Sequence, residues 1–401
     1  MNSYLNAYGR QYIDDDDIAA VEKVLRGDFL TGGPTALELE REIAEELGVT
    51  FVSLCNSGTS ALHLALLSLS VDSAWTVFVP AISFVATANA ARMCGANVEF
   101  VDVDPDTGLM TPETLRCCVT NWIEHGGSGP VAVVPVHLAG QTVLLEEIYD
   151  EAKVYDAKVI IDACHAFGTT QKTVDGSYAV GDCRFADAEV FSFHPVKNIA
   201  MGEGGAVTTN TQEIAEKVKL LCSHGITKDS DKFESEFEQE GIPPWYYEMQ
   251  ELGFNYRITD IQAALGISQL KKLPLFKNKR AELVERYRVL LGNRVGSTIK
   301  TMPHVYGCEA MWHLMVVLID FSTTVRTKTE LMKALQKQGI GSQVHYIPIY
   351  QHPYYRKLKG FIRLPGAELY YSRTLSLPLH PNMKVRDVDL VVSALLKELE
   401  L

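Results

Sequence analysis

Residues 188–210 read AEVFSFHPVKNIAMGEGGAVTTN, and the fold is decided by how this stretch is read. Val190, Phe191 and Phe193 predict a buried strand. A tight loop then carries Lys197, glycines cluster at Gly202, Gly204 and Gly205, and Ala206 to Thr209 predict a second short strand. One lysine thus stands alone between two apolar strands. Burial disfavours the ammonium form and lowers the pKa of such an amine. A neutral amine at ordinary pH is a nucleophile, and its commonest biological use is a Schiff base with a carbonyl. The plain alternative is a lysine that reaches from a strand end to water.

Working outward, apolar strands alternate with helices of ten to fifteen residues. FVSL at 51–54 precedes a helix, VFVPAISF at 77–84 precedes another, and VEFVDVD, VAVVPVHLAG and AKVIIDACHAFGT follow in turn. This pattern predicts an α/β fold with a mainly parallel sheet covered on both faces. In such sheets ligands gather beyond the carboxyl ends of the strands. Three features lie at those predicted ends. Ser57, Gly58 and Thr59 open a helix, where small residues and free N–H groups suit an anion. Phe84 follows the next strand, as a ligand-facing ring or as an ordinary core residue. Asp162 directly follows Val159, Ile160 and Ile161, and a carboxylate there is expensive to bury without a cationic partner.

FSFHPVKN followed by GEGGAVTTN resembles the pyridoxal-phosphate lysine segment of the DegT/DnrJ/StrS sugar aminotransferases. The likeness extends in the family's order over nearly the whole chain, from FLTGGP at 29–34 to QVHYIPIYQ at 343–351. It implies a PLP-dependent transferase of fold type I, aspartate aminotransferase-like. A large PLP-binding domain with an N-terminal arm would cover 1–269, and a smaller α+β domain 270–401. Lys197 would hold pyridoxal 5'-phosphate and move the proton, and Asp162 would pair with the pyridine nitrogen. Ser57, Gly58, Thr59 and Ser192 would receive the phosphate, Phe84 would stack on the ring, and His165 would contact its hydroxyl. Asn255 would reach the phosphate of a neighbouring subunit's cofactor, making the site the shared property of a homodimer. Taken alone, an Asn ahead of a helix is a turn former.

The resemblance further implies glutamate as amino donor and a nucleotide-sugar as acceptor. Within the family the patterns point to a UDP-linked N-acetylated 4-keto-6-deoxy sugar of the pseudaminic acid type. Another 4-keto-6-deoxy sugar, of the perosamine type, is the alternative. Tyr8, Thr31, His345, Tyr346 and Tyr350 are the candidate substrate contacts, although Thr31 sits in what could be a plain turn. A PLP-binding regulatory protein without turnover is the reading of another class. A lysine at 197 speaks against the branch that dehydrates sugars, which carries His there. A cysteine desulfurase would need a mobile reactive thiol, and Cys164 is the nearby candidate.

The 401 residues are 47% hydrophobic, enough for a large core and two domains. With 50 acidic against 37 basic residues the net charge is −13, which argues against a nucleic-acid or anionic-membrane surface. No apolar run approaches the roughly 18 residues of a membrane span, and the first residues lack a signal-peptide core. A soluble cytoplasmic protein is expected. The eight cysteines are scattered with no CxxC pair, which predicts reduced thiols rather than a disulfide frame or a zinc site. Asp14 to Asp17 are expected to cap a helix, and the polar stretch Asp229 to Gly241 to form a mobile surface loop.

Overall fold

The computed structural model describes residues 7–173, 176–235, 241–292 and 298–401. Its centre is a seven-stranded sheet. In spatial order the strands are Phe51–Cys55, Gly205–Thr209, Ala188–Ser192, Lys158–Asp162, Val131–Val133, Thr76–Pro80 and Asn97–Val101. All run parallel except Gly205–Thr209, which is antiparallel to both neighbours. The near-continuous apolar strands are the signature of a sheet buried on both faces. Every residue of Thr76–Pro80 is buried.

The register brings the functional segments to one edge. Asp162 pairs with Val190, Ser192 with Gly205, and Gly205 with Cys55. The chain therefore leaves the strands at Cys55, Pro80, Asp162 and Ser192 on the same side. Between Ser192 and Gly205 the loop is tied by bonds from Lys197 N to His194 O (2.8 Å), Met201 N to Phe193 O (2.9 Å) and Phe193 N to Gly204 O (2.9 Å). Gly202 has φ +80°, a conformation glycine adopts without strain. Gly205 is required for space, since a Cβ there would come within 2.3 Å of the Ser57 carbonyl oxygen.

A second sheet is built from Ile299–Thr301, Met315–Ile319 and Thr374–Leu377, all antiparallel. Its core runs from Leu283 to Leu399 and includes one face of the closing helix Val385–Leu399. The long helix Leu273–Gly292 spans both cores: Leu273 and Phe276 pack in the first, Leu283 to Leu291 in the second.

Asp14 caps the helix Asp15–Leu25, accepting from the Asp16 and Asp17 amides. Asp260, fully buried, accepts from Gly33 N (2.8 Å) and Thr35 N (2.9 Å) and so fixes the entry to the helix Pro34–Leu47. All eight cysteines are free. Residues 236–240 of the expected polar loop lie outside the described residues. No described helix is long and apolar enough to cross a membrane. Gly205→Ala is expected to cost about 1–3 kcal/mol of unfolding free energy, the range for a methyl forced into a packed site. Urea denaturation measures it, and an unchanged midpoint would contradict the contact with Ser57.

Candidate active site

The strand ends surround a cavity of about 1160 Å³, large for a single small ligand. Lys197, Asp162, His165, Ser57, Gly58, Thr59, Phe84, Ser192, Tyr8, His345 and Tyr346 all line it. Burial pushes the Lys197 amine below the ordinary lysine range, while Cys164 and Asp162 pull it back up. The Asp162 carboxylate is buried, and among the described residues no arginine pairs with it. Its Oδ2 accepts from Thr87 Oγ1 at 2.8 Å and its Oδ1 from Cys164 N at 3.2 Å. Thr87 is held in turn by Ser83 at 2.7 Å. Both oxygens are aimed by these donors, and each keeps capacity for a further partner.

The helix Gly58–Ser68 starts at the cavity, with Ser57 as its cap accepting from Ser60 N. Its first carbonyl-to-amide closure is Ala61 N to Ser57 O, so the amides of Gly58 and Thr59 precede the helix's own bonds and can meet an anion. Ser192 packs against them, since a Cβ on Gly58 would lie 2.7 Å from the Ser192 Cβ. Phe84, 56% exposed, stands at the mouth with its ring centroid 6.1 Å from that of Tyr346.

The other wall comes from the C-terminal half. Tyr346 Oη lies 3.1 Å from His165 Nε2. His345 Nδ1 lies 2.8 Å from Ser376 Oγ, and the Tyr8 ring is 5.5 Å from the His345 ring. Burial lowers the His345 pKa to about 3 and takes His165 well below its usual value, so both imidazoles are neutral at ordinary pH.

Tyr350 and Thr31 stand elsewhere, and Asn255, expected at a neighbouring subunit's cofactor, lies off the cavity of its own chain. Tyr350 is in the main core, where the turn Ile349–Gln351 carries its ring against Phe100 (6.1 Å). The Ile349 N to Ala81 O bond (2.9 Å) fixes that turn. Thr31 is exposed and bridges Thr259. Asn255 bridges Ser223, and its carbonyl faces Asn56 Nδ2 at 3.4 Å. Neither Thr31 nor Asn255 lines the cavity of its own chain.

Sequence reading missed Thr87, Asn198 and His313. Thr87 lies in the first turn of the helix Ala86–Met93, and Ser83 in the bend that precedes it. Asn198 shows its role only in three dimensions. Its Nδ2 lies 2.8 Å from Phe167 O, 3.3 Å from Met311 O and 3.4 Å from His165 O. The residue after Lys197 therefore gathers three carbonyls from two segments of the site, 165–167 and the stretch at Met311.

The sequence profile of the DegT/DnrJ/EryC1/StrS aminotransferase family matches residues 11–396. The chain belongs to this family. A relative from Campylobacter jejuni, UDP-4-amino-4,6-dideoxy-N-acetyl-beta-L-altrosamine transaminase, is 39% identical over 394 residues, covering 98% of this chain and 97% of that protein. PseC of Helicobacter pylori, an aminotransferase involved in pseudaminic acid biosynthesis, superposes with a TM-score of 0.86 at 32% identity, covering 98% of this chain and 99% of PseC. Spr1654 of Streptococcus pneumoniae, solved in PLP and PMP forms, gives 0.85 at 26% identity; in the PLP form 98% of this chain and 99% of that chain are covered. The fold is that of the PLP-dependent aminotransferases of fold type I.

The residues of this DegT/DnrJ/EryC1/StrS aminotransferase fit pyridoxal phosphate. A depressed amine faces the cavity, a buried carboxylate is aimed by two donors, and a helix starts at the cavity with the Gly58 and Thr59 amides ahead of its own bonds. Asp162→Asn is expected to lower turnover roughly 10²- to 10³-fold, the scale of removing one preorganised electrostatic group, and Lys197→Ala to abolish it. Steady-state transamination rates measure both, and near-normal turnover in either variant would remove that residue from the chemistry.

Proposed function

We propose that this aminotransferase carries an amino group from glutamate to carbon 4 of a UDP-linked 4-keto-6-deoxy N-acetyl sugar, in a pathway of the pseudaminic acid type. The observation that carries this reading is full-length identity of 39% to the Campylobacter transaminase, joined to a cavity that holds the lysine, the carboxylate and the anion cradle together. Pyridoxal phosphate, when bound, supplies an aldehyde for the amine and a ring that takes up the electron pair left by a departing proton. Lys197 would hold it, Asp162 would face its ring nitrogen, and Ser57, Gly58, Thr59 and Ser192 would receive its phosphate. Phe84 would cover its face, and His165 would stand by its hydroxyl.

The chain's own part in the chemistry follows from burial. A depressed Lys197 amine has its lone pair free to take a proton at Nζ from the donor's alpha carbon and to return it to the cofactor side. Neutral His165 and His345 add no competing positive charge. Tyr8, His345 and Tyr346 offer hydroxyl and imidazole groups for a pyranose and aromatic faces for a base. Tyr346 acts on both sides, because its hydroxyl also meets His165.

The same reading gives a homodimer with shared sites. It is supported by Asn255 and Thr31 lying off their own chain's cavity and by the exposed Phe29, Leu30, Trp245 and Leu252 near them in sequence. A cytoplasmic location suits eight free thiols. A desulfurase is disfavoured because burial pushes the Cys164 thiol well above its usual pKa, away from the reactive thiolate.

The test compares kcat/KM, with glutamate as donor, on UDP-linked N-acetyl 4-keto sugars and on dTDP- or GDP-linked 4-keto sugars with a hydroxyl at carbon 2. A preference of about tenfold to a hundredfold per lost contact is expected for the UDP-linked N-acetyl sugars. Equal or better efficiency on the others would favour the perosamine-type alternative. Turnover of none would favour a cofactor-binding regulator.

A further inference from the structure

We infer that His313 is a positioning residue of this site, setting the orientation of the His165 ring. The inference rests on the reading of the cavity as an aminotransferase site, in which His165 stands by the cofactor. His313 begins the stretch leading into the strand Met315–Ile319 and belongs to the C-terminal half, yet it lines the cavity with His165. The two ring centroids are 4.3 Å apart at an interplanar angle of 46°. His313 is 4% exposed and His165 5%. The Nδ1 atom of each is sealed from solvent with no hydrogen-bond partner.

His165 is thus held in two ways. Its Nε2 meets the Tyr346 hydroxyl, and its ring packs against the His313 ring at a tilt of 46°. A single hydrogen bond leaves a ring free to pivot about it, and a second contact against the ring restricts that freedom. With Nδ1 unpartnered, no other hydrogen bond among the described residues does so. Both contacts come from the C-terminal half, while His165 belongs to the segment that follows Asp162.

The backbone under His313 is built to hold this position. His313 N donates to Ala139 O at 3.0 Å, and Met311 N donates to Thr169 Oγ1 at 2.9 Å. Arg280, almost wholly buried, donates from Nη1 to the carbonyls of Trp312 (3.2 Å), His313 (3.4 Å) and Leu379 (3.2 Å). Asn198 Nδ2 lies 3.3 Å from Met311 O and thereby ties the same stretch to the lysine loop. Gly140, at φ +98°, lets this backbone approach so closely that a Cβ there would fall 2.3 Å from Met311 O. Burial holds both imidazoles neutral, which removes the repulsion that two charged rings would suffer at this distance.

The experiment compares His313→Ala, His313→Phe, His165→Ala and the double alanine variant as PLP-loaded enzymes, reading kcat, KM and the absorption spectrum of the bound cofactor. His313→Ala is expected to lower kcat about tenfold to a hundredfold, the effect of a catalytic-site group misplaced by about 1 Å. KM for the sugar should change less than threefold, and the cofactor's absorption should shift. His313→Phe keeps a flat ring and should recover most of the lost kcat and the wild-type spectrum. In the His165→Ala background, His313→Ala should add less than a twofold loss, since there is no ring left to orient. Full multiplication of the two losses, or an unchanged kcat and spectrum in His313→Ala, would overturn the inference. If His313→Ala fails to fold, His313→Phe decides: a shifted spectrum with low kcat overturns it. Wild-type protein that shows no PLP absorption would instead defeat the reading of the cavity, and the inference with it.

Discussion

The structure depends on keeping an amine out of water at one edge of a buried sheet. Lys197 lies in a cavity where desolvation weakens its charged form, and Asp162, which lines the same cavity, is buried with no arginine beside it among the described residues. A buried carboxylate beside a half-buried amine is costly unless it has partners. Asp162 has two, the Thr87 hydroxyl and the Cys164 amide. The lysine's loop is tied down by backbone bonds on both sides and by Asn198 behind it. The sheet register supplies the rest, since it is the pairing of Cys55 with Gly205 and Gly205 with Ser192 that places the helix start beside the lysine strand.

The second constraint is that the cavity is closed by residues of both halves of the chain. His345, Tyr346 and His313 reach it from the C-terminal half, and Tyr8 comes from the N-terminal arm, anchored through its carbonyl to Leu379 N at 3.0 Å. A site assembled this way relies on buried backbone contacts for its accuracy, which accounts for Arg280 and Asn198 giving their donors to carbonyl oxygens. The sheet supplies the chemistry, and the C-terminal half supplies the wall that a nucleotide-sugar would meet.

Much of this was legible in the sequence because it is written in local cost. Continuous apolar strands announce a parallel sheet, a lone lysine between two of them asks for a role, and a carboxylate ending VIID asks for a cation. SGTS ahead of an apolar helix announces a free N-terminus. What could not be read locally was orientation. Tyr350 was expected in the cavity with Tyr346, four residues earlier, but a single turn of 3-10 helix sends its ring into the core. Thr31 gave no indication of lying off the cavity, because its place depends on a bridge to residue 259. His313 and Asn198 carry no motif at all, and their meaning lies in contacts between segments remote in sequence.

The most direct measurement is borohydride reduction of the PLP-loaded protein, followed by digestion and mass spectrometry of the peptides. The account predicts one phosphopyridoxyl group per chain, on the peptide that carries FSFHPVKNIAMGEGG and at Lys197. Modification of a different lysine, or of none, would contradict it.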